Sequence, residues 1–244
     1  MTYIDGFVIA VPTANREKFT DHAHIGDAVF MDHGARRIVE CWQDNVPHGK
    51  VTDFFRAVAA NEDESIVFSW IEWPDKATRD AMYAKMDEIT KTDLRFSMEH
   101  NPPPFDGKRM IFGGFEPLLD AGEKLERAYV QGFILPVLPG QRNAYAAMAA
   151  EAAPFFMEHG ARRIVETIED DVSDGTLTDF RRAVNLQDGE SVVFSWIEWE
   201  SADACKAAEQ AMQSDERMKM PDVMPFDGKR MIYAGFEPVV ILEK

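Results

Sequence analysis

Three segments of this chain are written twice. His33-Gly34-Ala35-Arg36-Arg37-Ile38-Val39-Glu40 returns letter for letter as His159 to Glu166. Val67-Phe68-Ser69-Trp70-Ile71-Glu72-Trp73 returns as Val193 to Trp199, and Pro104 to Ile111 returns as Pro225 to Ile232. A domain duplicated and fused in one chain predicts an approximate two-fold arrangement. Tyr3 aligns with Tyr129 at an offset of 126 residues, which holds through Trp73 and Trp199 and falls to 121 at Phe105 and Phe226. The second copy is therefore five residues shorter ahead of its Pro-Phe-Asp-Gly-Lys-Arg-Met segment. The expected organisation is a first copy over 1–119, a polar linker over 120–127 and a second copy over 128–244; 244 residues suit two such units.

Inside one copy the pattern reads strand, helix, strand, strand, helix, strand. Tyr3 to Val11 is β-rich, and Pro12 to Asn15 supplies a break and a helix start. In the second copy Tyr145, Met148, Ala149, Ala152, Phe155 and Phe156 recur at helical spacing up to His159-Gly160, where glycine suits a helix end. Arg36 to Trp42 and Ser65 to Trp73 are strands rich in branched and aromatic residues. Ala204, Ala207, Ala208, Ala211 and Met212 mark a second helix, and Asp106-Gly107 turns into a last strand over 108–115. Thr52 to Val58 fits either a short strand or a helical turn. The βαββαβ order is the ferredoxin-like split-βαβ arrangement, with two helices on one face of a four-stranded antiparallel sheet. The other face also carries large apolar groups, so the second copy is its expected cover. The fold class is thus α+β: tandem ferredoxin-like domains closing an intramolecular, pseudo-dimeric α/β barrel of eight strands.

Charge and composition bound the partners. The formal charge is −17, which repels phosphate backbones and anionic lipid heads. The basic pairs Arg36-Arg37 and Lys108-Arg109 are too short to reverse that field, so neither nucleic acid nor membrane is expected as a partner. Apolar content of 45% with a mean hydropathy of −0.30 fits a globular chain, and no apolar run approaches the roughly 20 residues of a membrane span. The N-terminal residues lack a basic and apolar leader, and Cys41 and Cys205 fall at non-equivalent places, which argues against a disulfide framework. The expected compartment is the cytoplasm.

The segments Tyr3 to Phe7, His33 to Ala35, Val39 to Trp42, Thr52 to Phe54, Val67 to Trp73 and Pro104 to Met110 resemble the YbaA-like family of unknown function. The resemblance covers each copy in full. It implies a fold similar to the dimeric α/β-barrel superfamily, whose single-copy members build the barrel as homodimers. That superfamily includes cofactor-free monooxygenases, haem-degrading enzymes, dismutases, isomerases and ligand sensors, and fold alone does not choose among them. The second copy departs from the first where Gln131 stands for Asp5 and Thr167-Ile168 for Cys41-Trp42. A site using Asp5, Cys41 or Trp42 would be only partial there.

The candidate catalytic residues are the glutamates of the repeated motifs, Glu40, Glu72, Glu166 and Glu198. Glu40 and Glu72 sit amid apolar neighbours on strands that adjoin in this fold, and two carboxylates so close would raise at least one pKa unless an arginine intervenes. The rival reading is ordinary ion pairing with Arg37, Arg109 or a tyrosine. Candidate ligand-binding residues are Tyr3, Asp5, Trp42, Trp70, Tyr129 and Trp196. Within Trp70/Trp73 and Trp196/Trp199, three residues apart on a strand, one ring of each pair must face the helices and the other the barrel. His33 and His159 read as helix-end residues, Ser69 and Ser195 lack a nucleophile elbow, and Asp53 and Asp179 read as caps. Asp106 to Arg109 reads as a turn with two exposed cations. No metal spacing or cofactor motif is present, so none is expected. Three functions remain: an enzyme of the cofactor-free monooxygenase or isomerase type acting in a small-molecule pocket inside the barrel or under its sheets, a binding or sensing module, and a structural protein whose barrel is filled. Self-association beyond the fused pair is left open.

Overall fold

The computed structural model describes residues 2–217 and 223–244. The first copy contributes β1 (Tyr3–Pro12), α1 (Arg16–Asp32), β2 (Arg37–Asn45), the single turn α2 (Phe54–Ala57), β3 (Glu64–Trp73), α3 (Lys76–Tyr83), α4 (Met86–Thr92) and β4 (Ile111–Gly122). The second contributes β5 (Tyr129–Val137), α5 (Arg142–Glu158), β6 (Arg163–Asp171), α6 (Phe180–Ala183), β7 (Ser191–Trp199), α7 (Ala202–Ser214) and β8 (Ile232–Glu243). The strands close into a barrel in the order β1-β3-β2-β8-β5-β7-β6-β4. No helix among the described residues is long and apolar enough to cross a membrane.

The fourth strand of each copy is shared. β4 pairs with β1 through Ile111 to Phe115, then with β6 of the other copy through Gly114 to Gly122. β8 does the same with β5 and β2. Residues 120–122, expected as linker, are therefore strand: their backbone groups complete the ladder that joins the copies. Thr52 to Val58 resolves as a helical turn. Asp53 caps it, its Oδ1 accepting from the Arg56 backbone N–H at 2.8 Å and its Oδ2 from Gly49 at 3.1 Å, and Asp179 repeats the cap.

Every residue of β3 is buried, because one face meets the barrel axis and the other the helices. Along the axis Phe68 stacks on Phe194 with ring centroids 4.5 Å apart, and Trp70 stacks on Trp196 at 4.4 Å. Gly6 and Gly132 make room for this interlock. A Cβ on Gly6 would lie 3.0 Å from the Phe194 ring, and one on Gly132 would lie 2.9 Å from Phe68. Each copy thus inserts a phenylalanine against a strand glycine of the other. The interior is a packed aromatic core, which corrects the expectation of a pocket inside the barrel.

The Asp106 to Arg109 turn departs from expectation in one residue. Lys108 is exposed, but Arg109 forms a two-pronged pair with Glu64 at 2.6 Å on both prongs, and burial of Glu64 at the strand start explains the fixed geometry. Arg230 and Glu190 repeat it.

Candidate functional site

Side chains alternate along a strand, and this sends the repeated glutamates to opposite faces. Glu40 stands opposite Ser69 and Glu72 opposite Arg37, and the second copy matches with Glu166 opposite Ser195 and Glu198 opposite Arg163. Glu72 shares its face with Trp70 and points into the barrel, whereas Glu40 lies outside, under α1. The expected cross-strand carboxylate pair of Glu40 with Glu72 is not formed, nor is that of Glu166 with Glu198.

At the barrel end, Glu72 and Glu198 meet Arg37 and Arg163 around the pseudo-two-fold. Arg163 Nη1 donates to Glu72 at 2.8 Å and to Glu198 at 3.2 Å, and its remaining N–H groups grip Asp120 at 2.8 Å. Arg37 Nη1 is 3.8 Å from Glu198, and its Nη2 donates to the Leu125 carbonyl at 3.0 Å. The Trp70 and Trp196 indole N–H groups donate to the same two carboxylates at 3.2 and 3.3 Å. Burial alone would push the Glu72 carboxyl up, but Arg163, with Lys124 and Arg37, outweighs it and holds the group below its ordinary value. Glu72 is a fixed anion, and both glutamates are held by arginine. Arg109 is not their partner, and the ion-pair reading applies to them.

The outer glutamates differ. Ser69 donates to Glu40 through a short hydrogen bond, and burial pushes the Glu40 carboxyl up to about 7 against that bond. Asp27 of α1 faces it, raised first by burial and then by the Glu40 charge, and its Oδ2 has no hydrogen-bond partner among the described residues. In the second copy Ala153 replaces Asp27 and Tyr145 replaces Phe19. The Tyr145 hydroxyl donates to Glu166 at 2.6 Å, Ser195 stands opposite it in the ladder, and burial still pushes the carboxyl up to about 7. Neither glutamate forms an ion pair among the described residues, so each can hold or release a proton near neutrality. The apolar wall beside Glu40 includes Phe19, Trp42 and Phe105, with Phe19 centroids 6.0 Å from both other rings.

The ligand-binding candidates fall in three places. Tyr3 and Asp5 belong to a polar cluster under α3. Asp5 accepts from Trp73 Nε1 at 2.8 Å and from Arg79 Nε at 2.9 Å, and Tyr3 donates to Asp170 at 2.8 Å. Burial pushes the Asp5 carboxyl up, opposed by the charge of Arg79. Tyr129 occupies the matching place in the second copy and donates to Asp44 at 2.9 Å. Trp42 lies under α1, with the Arg16 guanidinium 5.7 Å from its ring. Trp70 and Trp196, expected as ligand-binding residues, instead cover each other's faces on the axis. Sequence reasoning missed Asp27, Tyr145 and Arg79. The available signal was a polar side chain at a core-facing helical position, as for Asp27 four residues after the buried Ala23.

Residues 2–107 and 128–228 each match the DUF1428 family, described as protein of unknown function. The chain belongs to that family and carries its domain twice. The uncharacterized protein YbaA of Escherichia coli strain K12 is 55% identical over 120 residues, 49% of this chain and 99% of that protein, and YbaA of Shigella flexneri matches equally. One copy here thus corresponds to a whole relative. Among solved structures, a putative monooxygenase from Fusobacterium nucleatum aligns with a TM-score of 0.57 at 9% identity, over 100% of this chain and 94% of that one. An anthrone oxidase-like protein aligns at 0.56 and 12% identity, over 99% and 92%. These likenesses establish a shared fold.

Proposed function

We propose that this two-copy DUF1428 protein is an enzyme that moves a proton on a small, weakly acidic organic molecule, with Glu40 and Glu166 as the proton carriers. One observation carries the reading. Each copy keeps, between its sheet and its first helix, a glutamate, buried in the first copy and half-buried in the second, with no cationic partner among the described residues and a pKa pushed to about 7. Such a group is near half-protonation at neutral pH, where a general base combines availability with strength. Ser69 orients Glu40, and Tyr145 orients Glu166. Proton abstraction begins both isomerisation and oxygenation without a cofactor, in line with the names of the fold neighbours, putative monooxygenase and anthrone oxidase-like protein. The two unpaired cysteines suit a cytoplasmic setting.

The test begins with native mass spectrometry of freshly purified protein to catch a bound small molecule. Deuterium exchange into that molecule is then followed by NMR. Exchange is expected to fall in Glu40→Gln and Glu166→Gln and to vanish in the double variant. Unchanged exchange in a folded double variant overturns the reading. The filled barrel favours a second reading, a purely structural protein, and that reading expects no retained small molecule.

A further inference from the structure

A polar site that is occupied in the first copy has been emptied in the second. In the first copy the occupant is the Arg79 guanidinium. Its Nε donates to Asp5 at 2.9 Å, its Nη1 to Asp171 and, at 3.1 Å, to Asp80, and it lies 4.6 Å from the Tyr83 ring and 5.6 Å from that of Tyr3. Helices α3 and α7 start in register, since their caps Asp75 and Ser201 are 126 residues apart. Arg79 therefore corresponds to Cys205, Tyr83 to Glu209 and Asp5 to Gln131. The cation is gone, and its carboxylate partners Asp5, Asp80 and Asp171 correspond to Gln131, Lys206 and Asn45, while Glu209 and Asp203 enter where the first copy has Tyr83 and Ala77, and Asp44 matches Asp170. A cavity of about 280 Å³ opens there, walled by Asp44, Tyr129, Gln131, Asp203, Cys205 and Glu209, with Lys206 as the opposing charge. Burial, then Glu209, pushes the Cys205 thiol up to about 12, so it adds no anion of its own.

A second observation marks the vacancy. Trp199 is wholly buried, and its Nε1 has no acceptor among the described residues. Its counterpart Trp73 donates to Asp5 at 2.8 Å. Tyr129 faces Trp199 in the ladder as Tyr3 faces Trp73, which puts Gln131 at the position from which Asp5 accepts the Trp73 N–H in the first copy. Gln131 is turned away, its Nε2 donating to Glu209 at 2.7 Å.

We propose that this second-copy cavity binds a small organic cation, a guanidinium or primary ammonium group, seated where the guanidinium of Arg79 sits in the first copy. The cation replaces the Gln131 amide on Glu209 and lies against the Tyr129 ring. Gln131 is then free to turn its carbonyl to the Trp199 indole, as Asp5 does for Trp73. The inference is independent of proton transfer at Glu40 and Glu166.

The experiment titrates ethylguanidinium chloride into the ¹⁵N-labelled full chain and follows the indole N–H of Trp199, identified by its loss in Trp199→Phe. Ethylurea, the neutral analogue, and sodium acetate are run in parallel. Ethylguanidinium is expected to move the resonance saturably with a Kd on the order of millimolar, while neither control does. Glu209→Gln should weaken binding about tenfold, the scale of one hydrogen bond to a charged group. Cys205→Arg should fill the cavity and abolish binding, and if that variant fails to fold, Glu209→Gln carries the test. No saturable shift, equal binding of ethylurea or acetate, or unchanged affinity in a folded Cys205→Arg or Glu209→Gln variant overturns the proposal.

Discussion

Glu72 and Glu40 both lie in segments repeated letter for letter, and both are buried, yet one is a fixed anion and the other sits near half-protonation. Burial acts the same way on both; the partners decide the outcome. Glu72 faces Arg163, whereas Glu40 faces a serine and a second carboxyl group. The axial and outer regions also diverge differently. Arg37, Glu72, Arg163 and Glu198 are the same four residues by repeat, while outside the barrel Phe19 has Tyr145 for a counterpart, Asp27 has Ala153 and Arg79 has Cys205. A residue on the pseudo-two-fold meets its own counterpart, so a change in one copy strands charge in the other. A residue under a helix meets mainly its own copy and is freer to change.

Breaking the axial cluster gives the largest effect. Glu72→Gln leaves Arg163 with less than its complement of charge in a dry site, and removing one member of a buried pair costs about 3–5 kcal/mol. Urea unfolding of the variant should show a loss of that size, and Glu198→Gln should behave similarly. A cost below about 1 kcal/mol, the range of exposed pairs, breaks the comparison.

Glu166→Gln should act in the opposite direction. The ordinary value for its carboxyl is 4.5 and the folded value is about 7. Between these the unfolded chain releases a proton that the folded chain keeps, so this group lowers stability as pH rises from about 4.5 to about 7, after which its contribution is level. The neutral amide removes that loss. The variant should match the parent at pH 4 and exceed it at pH 8 by about 3 kcal/mol, from 1.36 kcal/mol per pKa unit. Stability difference against pH, by denaturant unfolding, checks it; a flat profile places the carboxyl at its ordinary value.

Asp27→Ala makes the first outer site resemble the second and sharpens the same contrast with a smaller effect. It deletes a buried carboxyl whose Oδ2 has no partner among the described residues, a gain of about 1–3 kcal/mol, partly offset by the space it leaves. The net expectation is a gain of about 1 kcal/mol at neutral pH. Glu40, which titrates in the parent as one of an interacting pair, should titrate alone in the variant. Carbon-detected NMR of the carboxyl resonances distinguishes the two.

The barrel was legible because strand alternation and duplication are properties of the chain read locally. The Val67 to Trp73 run, apolar on both faces, required a cover for each face, and the second copy supplied one. The functional geometry was less legible for the same reason. Which face Glu40 and Glu72 choose depends on parity along each strand and on register between strands, and a shift of one residue would reverse it. Glu40 could be taken as a neighbour of Glu72 from strand order, but pairing with Ser69 requires the register. The axial stack was hidden too: nothing in the sequence around Gly6 and Gly132 marks them, and only the other copy's phenylalanine gives them a purpose. Arg79, a charged residue in a short helix, carries no mark in the sequence of the buried Asp5 beneath it.

The smallest effect is expected where the same chemistry stands in water. Arg142 and Glu116 form a hydrogen-bonded pair at 2.6 Å, shorter than any contact of Arg163 in the axial cluster, but their side chains are 51% and 46% exposed. Water already solvates both ions before they meet, and ordering two long side chains offsets most of the attraction. Glu116→Gln should therefore change stability by no more than about 0.5 kcal/mol, and the change should shrink further in molar salt. Glu72→Gln, desolvated and shielded, should keep most of its effect in the same salt. Urea unfolding of both variants at low and high ionic strength makes the comparison. If the exposed pair costs as much as the buried one, or both respond equally to salt, then distance and not burial sets the strength of these contacts, and the distinction between the axial and outer glutamates loses its basis.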